Sequence, residues 1–169
     1  MSIKKHSLLL IEDSSDDANL CLRAIAVCGV PCEVHVISHG GEALGLLLSP
    51  EGPLPDLVVL DYHLPGASGY EVLRGLRQNE RTRLLPIVIL SSLATDKQVD
   101  ECLTAGASSC VEKPMDARAY TDHVSMIVRY WLTVDRRPEG LNVNETSQGH
   151  IRQIPSPHGR GPVSSGELG

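Results

Sequence analysis

Val58-Val59-Leu60-Asp61-Tyr62-His63-Leu64-Pro65-Gly66 decides how the rest of the chain is read. A short apolar run ends on an acidic residue, and a Pro-Gly turn follows at once. Strands covered on both faces read as continuous apolar runs, so this run reads as a central strand that surfaces at Asp61. Open parallel sheets keep their binding sites at the carboxyl ends of their strands. Two other segments end the same way. Leu8-Leu9-Leu10-Ile11 stops at Glu12-Asp13, and Ser109 to Glu112 stops at Lys113-Pro114.

Outward from that strand, helical and strand-like stretches alternate. Ser14 can cap a first helix, with Asp16 and Asp17 in the turn where the dipole favours acids. Ala18, Cys21, Leu22, Ile25 and Cys28 follow helical spacing, and Gly29 and Pro31 end it. Glu33 to Ile37 reads as an edge strand, Gly40-Gly41 as a turn, and Glu42 to Leu48 as a brief helix. Leu57 to Leu60 is the central strand. Tyr70, Leu73 and Leu76 stripe a third helix entered at Gly69. Ile87 to Leu90 is a buried strand ended by Ser91-Ser92, and Asp96 to Ala105 a helix closed by Gly106. Asp116 caps a last helix in which Tyr120, Val124, Ile127, Val128 and Trp131 share a face.

Strands and helices in strict alternation specify an α/β fold: a parallel sheet with helices on both faces. The flavodoxin-like strand order 2-1-3-4-5 puts strands 1 and 3 side by side at the topological switch. Glu12, Asp13 and Asp61 then meet at one edge of the sheet. The folded unit is expected over residues 1–134. From Asp135 to Gly169 the tail carries Gly, Pro, Ser and Asn with few apolar residues, which reads as flexible or ordered only on contact.

Composition narrows the functional classes. The net charge of -6 over 169 residues argues against nucleic acid or an anionic membrane as the main partner. The run Leu8 to Ile11 is too short for a signal-peptide core or a membrane span. Five cysteines, with no CxxC pair, suit free thiols in a reducing cytoplasm. With no Phe and one Trp, the core rests on Leu, Val, Ile, Ala and Cys. His123 is expected on a solvated helix face.

Three carboxylates in one pocket repel unless a cation sits between them. Hard oxygen ligands at that spacing suit Mg²⁺, which favours phosphate oxygens as further ligands. A carboxylate can itself accept a phosphoryl group. The Lys113 ammonium and the Ser91 hydroxyl, both at strand ends, can hold the other phosphate oxygens.

At this point the chain resembles the receiver domain of two-component response regulators, over about Ser7 to Leu132. The carriers are LLLIEDSSDD, DLVVLDYHLPGASGYEVLRGLR, LPIVILSS and AGASSCVEKP, in that order. The resemblance implies that Asp61 is the phospho-acceptor. Glu12 and Asp13 would bind Mg²⁺ with Asp61 and the backbone carbonyl of His63. Ser91 would be the switch hydroxyl, Lys113 the partner of the phosphate, and the Lys113–Pro114 peptide cis. Slow self-catalysed loss of the phosphate is expected. The partner would be a sensor histidine kinase, by a narrower similarity a bacteriophytochrome, and no DNA-binding output domain is expected.

One departure stands out. The family places an aromatic residue three positions before the lysine, and here that residue is Cys110. A thiol cannot repeat the inward turn of a ring, so the hydroxyl–aromatic coupling does not carry over. His63, two residues past Asp61, lies beside the path of an attacking water and can tune the phosphate's lifetime. Met126 and Tyr130 lie off the buried stripe of the last helix and, with Trp131, suggest a homodimer surface. Two other functions fit less closely. A Mg²⁺-dependent phosphohydrolase with an aspartate nucleophile usually has a second Asp where His63 stands. A phosphorylation-independent dimeric adaptor would use only the surface and the tail.

Overall fold

Both faces of one sheet are covered in the computed structural model, which describes residues 5–92 and 95–135. The strands are β1 (His6–Ile11), β2 (Cys32–Ile37), β3 (Leu57–Asp61), β4 (Ile87–Ser91) and β5 (Ser109–Glu112). The helices between and after them are α1 (Ser15–Val27), α2 (Gly40–Leu48), α3 (Gly69–Arg77), α4 (Asp96–Thr104) and α5 (Ala117–Arg129). All neighbouring strands pair in parallel, in the order β2-β1-β3-β4-β5. The flavodoxin-like arrangement is the one the alternation specifies.

Successive residues of β1, β3 and β4 feed opposite layers, because strand side chains alternate faces. Leu8, Leu10, Leu57, Val59, Val88 and Leu90 pack under α1 and α5. Leu9, Ile11, Val58, Leu60, Ile87 and Ile89 pack under α2, α3 and α4. That is why these strands lack polar alternation. Each such buried side chain contributes about 1.5–3 kcal/mol. β2, at the sheet's edge, has no fully buried residue.

Local chemistry sets the helix ends. Ser14 accepts the Asp17 N–H, and Asp116 accepts the Ala119 N–H. Ser68 with Glu71, and Thr95 with Gln98, form reciprocal capping boxes. Gly29 and Gly106 take φ of 79° and 98° just past α1 and α4, where a left-handed residue closes a helix.

Three details differ from the sequence reading. Gly40 and Gly41 are the first residues of α2 rather than a turn. Gly40 lies so close to the Ala67 carbonyl that a Cβ there would sit 2.4 Å from it, so packing rather than a turn calls for glycine. In α3, Val72 is fully buried beside Leu73 and Leu76, while Tyr70 is half-buried. At the end of α5, residues Tyr130–Val134 form one π-helical turn. The wider turn re-phases the helix; Leu132 is buried there, and Trp131, half-buried, packs against the same core as Tyr120, Val124, Ile127 and Val128. The tail expected over 135–169 lies outside the described residues apart from Asp135.

Gly69 ties α3 to the end of β3: a Cβ on it would meet the Asp61 carbonyl oxygen at 2.2 Å. That atom is backbone and cannot swing aside. Gly69→Ala is expected to lower unfolding stability by about 2–3 kcal/mol. Gly41→Ala, where nothing lies within 4 Å, is expected to raise it by about 0.5–1 kcal/mol. Urea unfolding midpoints of the two variants check both signs.

Candidate functional site

The strand order reverses between β1 and β3, where such sheets open a crevice at their carboxyl ends. Ile11 is in register with Leu60, so the next residues along, Glu12 and Asp61, stand side by side. Asp61 is in register with Leu90, which puts Ser91 one step further out on β4. Lys113 follows β5, its N–H donating to the Ser91 carbonyl at 2.8 Å.

Glu12, Asp13 and Asp61 can each offer one carboxylate oxygen with all three within 4.8 Å of one another. Glu12 and Asp61 are buried, and Asp13 is exposed. The expected convergence is present. Glu12 is braced from the other side, its Oε1 accepting the Ser14 N–H at 3.1 Å.

Lys113 reaches into this group. Its Nζ donates to Glu12 Oε2 at 2.6 Å and to Asp17 Oδ2 at 3.0 Å, and lies 3.4 Å from Asp61 Oδ2. Burial works against the ammonium charge, but the Glu12 hydrogen bond, the Asp61 charge and the Asp17 hydrogen bond outweigh it, and the pKa lies above the ordinary lysine value. Burial, and after it the Asp61 charge, push the Glu12 carboxyl up despite Lys113. Negative charge in the pocket exceeds what one ammonium balances.

The residues fit a hard dication. The donor set is all carboxylate oxygen, gathered tightly enough to share one ion. Ser91 adds a second sign: its hydroxyl is buried and has no hydrogen-bond partner. A buried hydroxyl left unpaired is costly, and an oxyanion held beside Lys113 would satisfy it.

Asp17 is the site residue that sequence reasoning missed. Its place in the first turn of α1 explained it as a dipole partner. The pairing with Lys113 spans 96 residues, and no local pattern signals it. The cis peptide expected between Lys113 and Pro114 is not found; no cis bond occurs among the described residues. Trans is the lower-energy isomer even before proline, and the four-carbon lysine stem reaches the acids from it.

His63 is exposed, its ring edge-on to Tyr62 at 5.0 Å, and its N–H donates to Asp61 Oδ1 at 3.3 Å. Cys110 is half-buried in β5 opposite Ile89 and packs against the layer under α2, α3 and α4. Met126 and Tyr130 are exposed, with Trp131 edge-on to Tyr130 at 5.1 Å. With Val111, His123 and Ile127 they line an open hollow of about 310 Å³. His123 does not sit on a solvated face. It is half-buried, and its Nδ1 is enclosed without a hydrogen-bond partner.

The model of the response regulator receiver domain family matches residues 8–125. The chain is 32% identical over 134 residues to a probable methanogenesis regulatory protein, FilR2, of Methanothrix harundinacea, covering 78% of this chain and 86% of that one. Several other curated relatives are longer, and the chain spans about half of their length. Among solved structures it resembles the phosphorylated cyanobacterial phytochrome response regulator RcpA, with TM-score 0.75, 26% identity and coverage of 80% and 99% of the two chains. It resembles the Mn²⁺-bound response regulator Rcp1 with TM-score 0.73, 25% identity and coverage of 79% and 99%.

The thiols bear on whether Cys110 is a redox centre. Burial pushes Cys21, Cys32 and Cys102 each up to about 11 and raises Cys110 as well. The thiolate is the reactive form. At pH 7.5, iodoacetamide is therefore expected to modify the folded chain's Cys21, Cys32 and Cys102 at least about a hundredfold more slowly than free cysteine. Cys110 is expected to lag as well. Peptide mass mapping checks each site, and fast labelling of Cys110 would contradict its packing role.

Proposed function

The chain belongs to the response regulator receiver domain family, and on that footing we propose that it accepts a phosphoryl group from a sensor histidine kinase on Asp61. A regulator of this kind is a signalling protein rather than a turnover enzyme. What supports the reading is the meeting of Glu12, Asp13, Asp61 and Lys113 at one strand edge, beside the unpartnered Ser91 hydroxyl.

An Asp61 oxygen attacks phosphorus, the P–N bond to the kinase histidine breaks, and an acyl phosphate forms. Glu12, Asp13, Asp61 and the His63 carbonyl would hold Mg²⁺, which when bound neutralises the acids and draws phosphate oxygens together. Lys113 and the Ser91 hydroxyl take the remaining phosphate oxygens, as positioning and charge balance dominate phosphoryl transfer. Ser91, drawn to the phosphate, shifts the start of the segment that leads from β4 to α4. The conformational change is then read by a protein contact. Because Cys110 packs as a small side chain in the structural layer, that shift need not involve a ring at β5.

The likeness to RcpA favours a phytochrome-type kinase as the donor, and the free thiols favour the reducing cytoplasm as the compartment. Among the described residues no helix is long and apolar enough to cross a membrane. Exposed Met126 and Tyr130, with Trp131 beside them, favour a homodimer built on α5. The hydrolase reading has weaker support, since exposed His63 stands where such an enzyme needs its second acid.

With acetyl phosphate and Mg²⁺, the native chain is expected to take up close to one phosphate per molecule. Asp61→Asn is expected to fall to background, as is the native chain in EDTA, by intact-mass spectrometry. Full labelling of Asp61→Asn would overturn the reading, and steady release of phosphate over many turnovers would favour the hydrolase. His63→Ala is expected to keep labelling but lengthen the phosphate's half-life, because an imidazole near the acyl phosphate can orient or deprotonate water. A pulse-chase of the labelled protein measures that half-life, and an unchanged value would remove His63 from the chemistry.

A further inference from the structure

Asp17 is outside the three-carboxylate set, yet its Oδ2 lies 3.0 Å from the Lys113 ammonium. It stands in the first turn of α1, its own N–H donating to Ser14 Oγ at 3.3 Å, with the side chain 41% exposed. Resting on the receiver reading, we infer that Asp17 is a positioning residue for Lys113. It is the carboxylate that keeps the ammonium at the pocket wall when a divalent cation claims Glu12 and Asp61.

Charge and reach lead to this role. Lys113 has three acidic neighbours, at 2.6 Å (Glu12), 3.0 Å (Asp17) and 3.4 Å (Asp61). Two of the three belong to the cation's candidate ligands. A dication needs those oxygens and repels the ammonium. The Glu12 Oε2 contact is therefore the one Lys113 must give up. Its side chain is 6% exposed, and its backbone is pinned to Ser91, so the head group has little room to leave. An ammonium stripped of partners in such a place is costly. Asp17 is already in contact, and it keeps a full charge for Lys113 alone.

A thermodynamic cycle follows. Without Asp17, the metal-free pocket still holds the ammonium through Glu12 and Asp61. The metal-loaded pocket has no unshared acid left for it. Removing Asp17 thus destabilises the loaded form more than the free form, and metal affinity falls. Glu12 and Asp13 act on the cation directly, whereas Asp17 acts through Lys113.

The test is Mg²⁺ titration of the full chain by calorimetry at fixed ionic strength. Asp17→Asn is compared with Asp16→Asn, an exposed neighbour in the same turn with the same change of charge. Asp17→Asn is expected to weaken binding about fivefold more than Asp16→Asn, a modest factor because the Asp17 end of the pair is open to solvent. Asp17→Glu is expected to restore most of the loss. In a Lys113→Gln background the two Asn variants should lose equally. Equal losses in the native background would overturn the inference, as would an excess loss that persists without Lys113, since Asp17 would then be a direct ligand. No Mg²⁺ binding by the native chain would sink the receiver reading and this inference together.

Discussion

One buried ammonium holds together segments that the chain places far apart. Lys113 joins the end of β1, the start of α1 and the end of β3, across as many as 101 residues. Burying a charge costs several kcal/mol unless close partners repay it. Here the contacts come from three sides, and the lysine stays charged. The pair is weak evidence for stability, because apolar residues of like volume often do as well in such a place. Its value is positional. It fixes where a positive charge stands relative to Asp61.

That position is a product of the sheet. Parallel strands with crossover helices align all carboxyl ends on one side. Registers of Ile11 with Leu60 and of Asp61 with Leu90 then set Glu12, Asp61 and Ser91 in a row. Gly69 lets α3 begin against the backbone of Asp61 itself, so the chain leaves the strand at once and the crevice stays clear. The apolar runs are unbroken because both faces are covered, and they stop where the site's polar residues begin. Core and site are thus specified by the same segments.

Most of this was legible. Continuous apolar runs ending on Glu12, Asp61 and Ser91 announce buried strands and their outlets together, and the alternation with helices leaves few topologies; Lys113 closes the short β5, which has no fully buried residue. What escaped had no local signal. Asp17 looked like a dipole partner because it is one as well. Gly40 and Gly41 looked like a turn because glycine's packing role is visible only once Ala67 is in place. The change of helical pitch at Tyr130 has no periodic mark, so Leu132 was missed as a core residue beside Trp131, which does pack on that face. His123 seemed solvated because the enclosure of its Nδ1 leaves no mark in the local sequence.

The charge balance explains why this pocket is poised rather than settled. Glu12, Asp13, Asp17 and Asp61 face a single ammonium. Burial, ahead of the Asp61 charge, raises the Glu12 carboxyl against the pull of the lysine. Four carboxylates and one ammonium leave the pocket short of positive charge, and on the proposed reading a dication would make up part of that shortfall before a phosphoryl group approaches. The unpaired Ser91 hydroxyl fits the same reading, because a phosphate oxygen would partner it. On that reading the cation precedes the phosphoryl group on electrostatic grounds, with Lys113, among the described residues, as the one cationic side chain in contact with Glu12, Asp17 and Asp61 throughout.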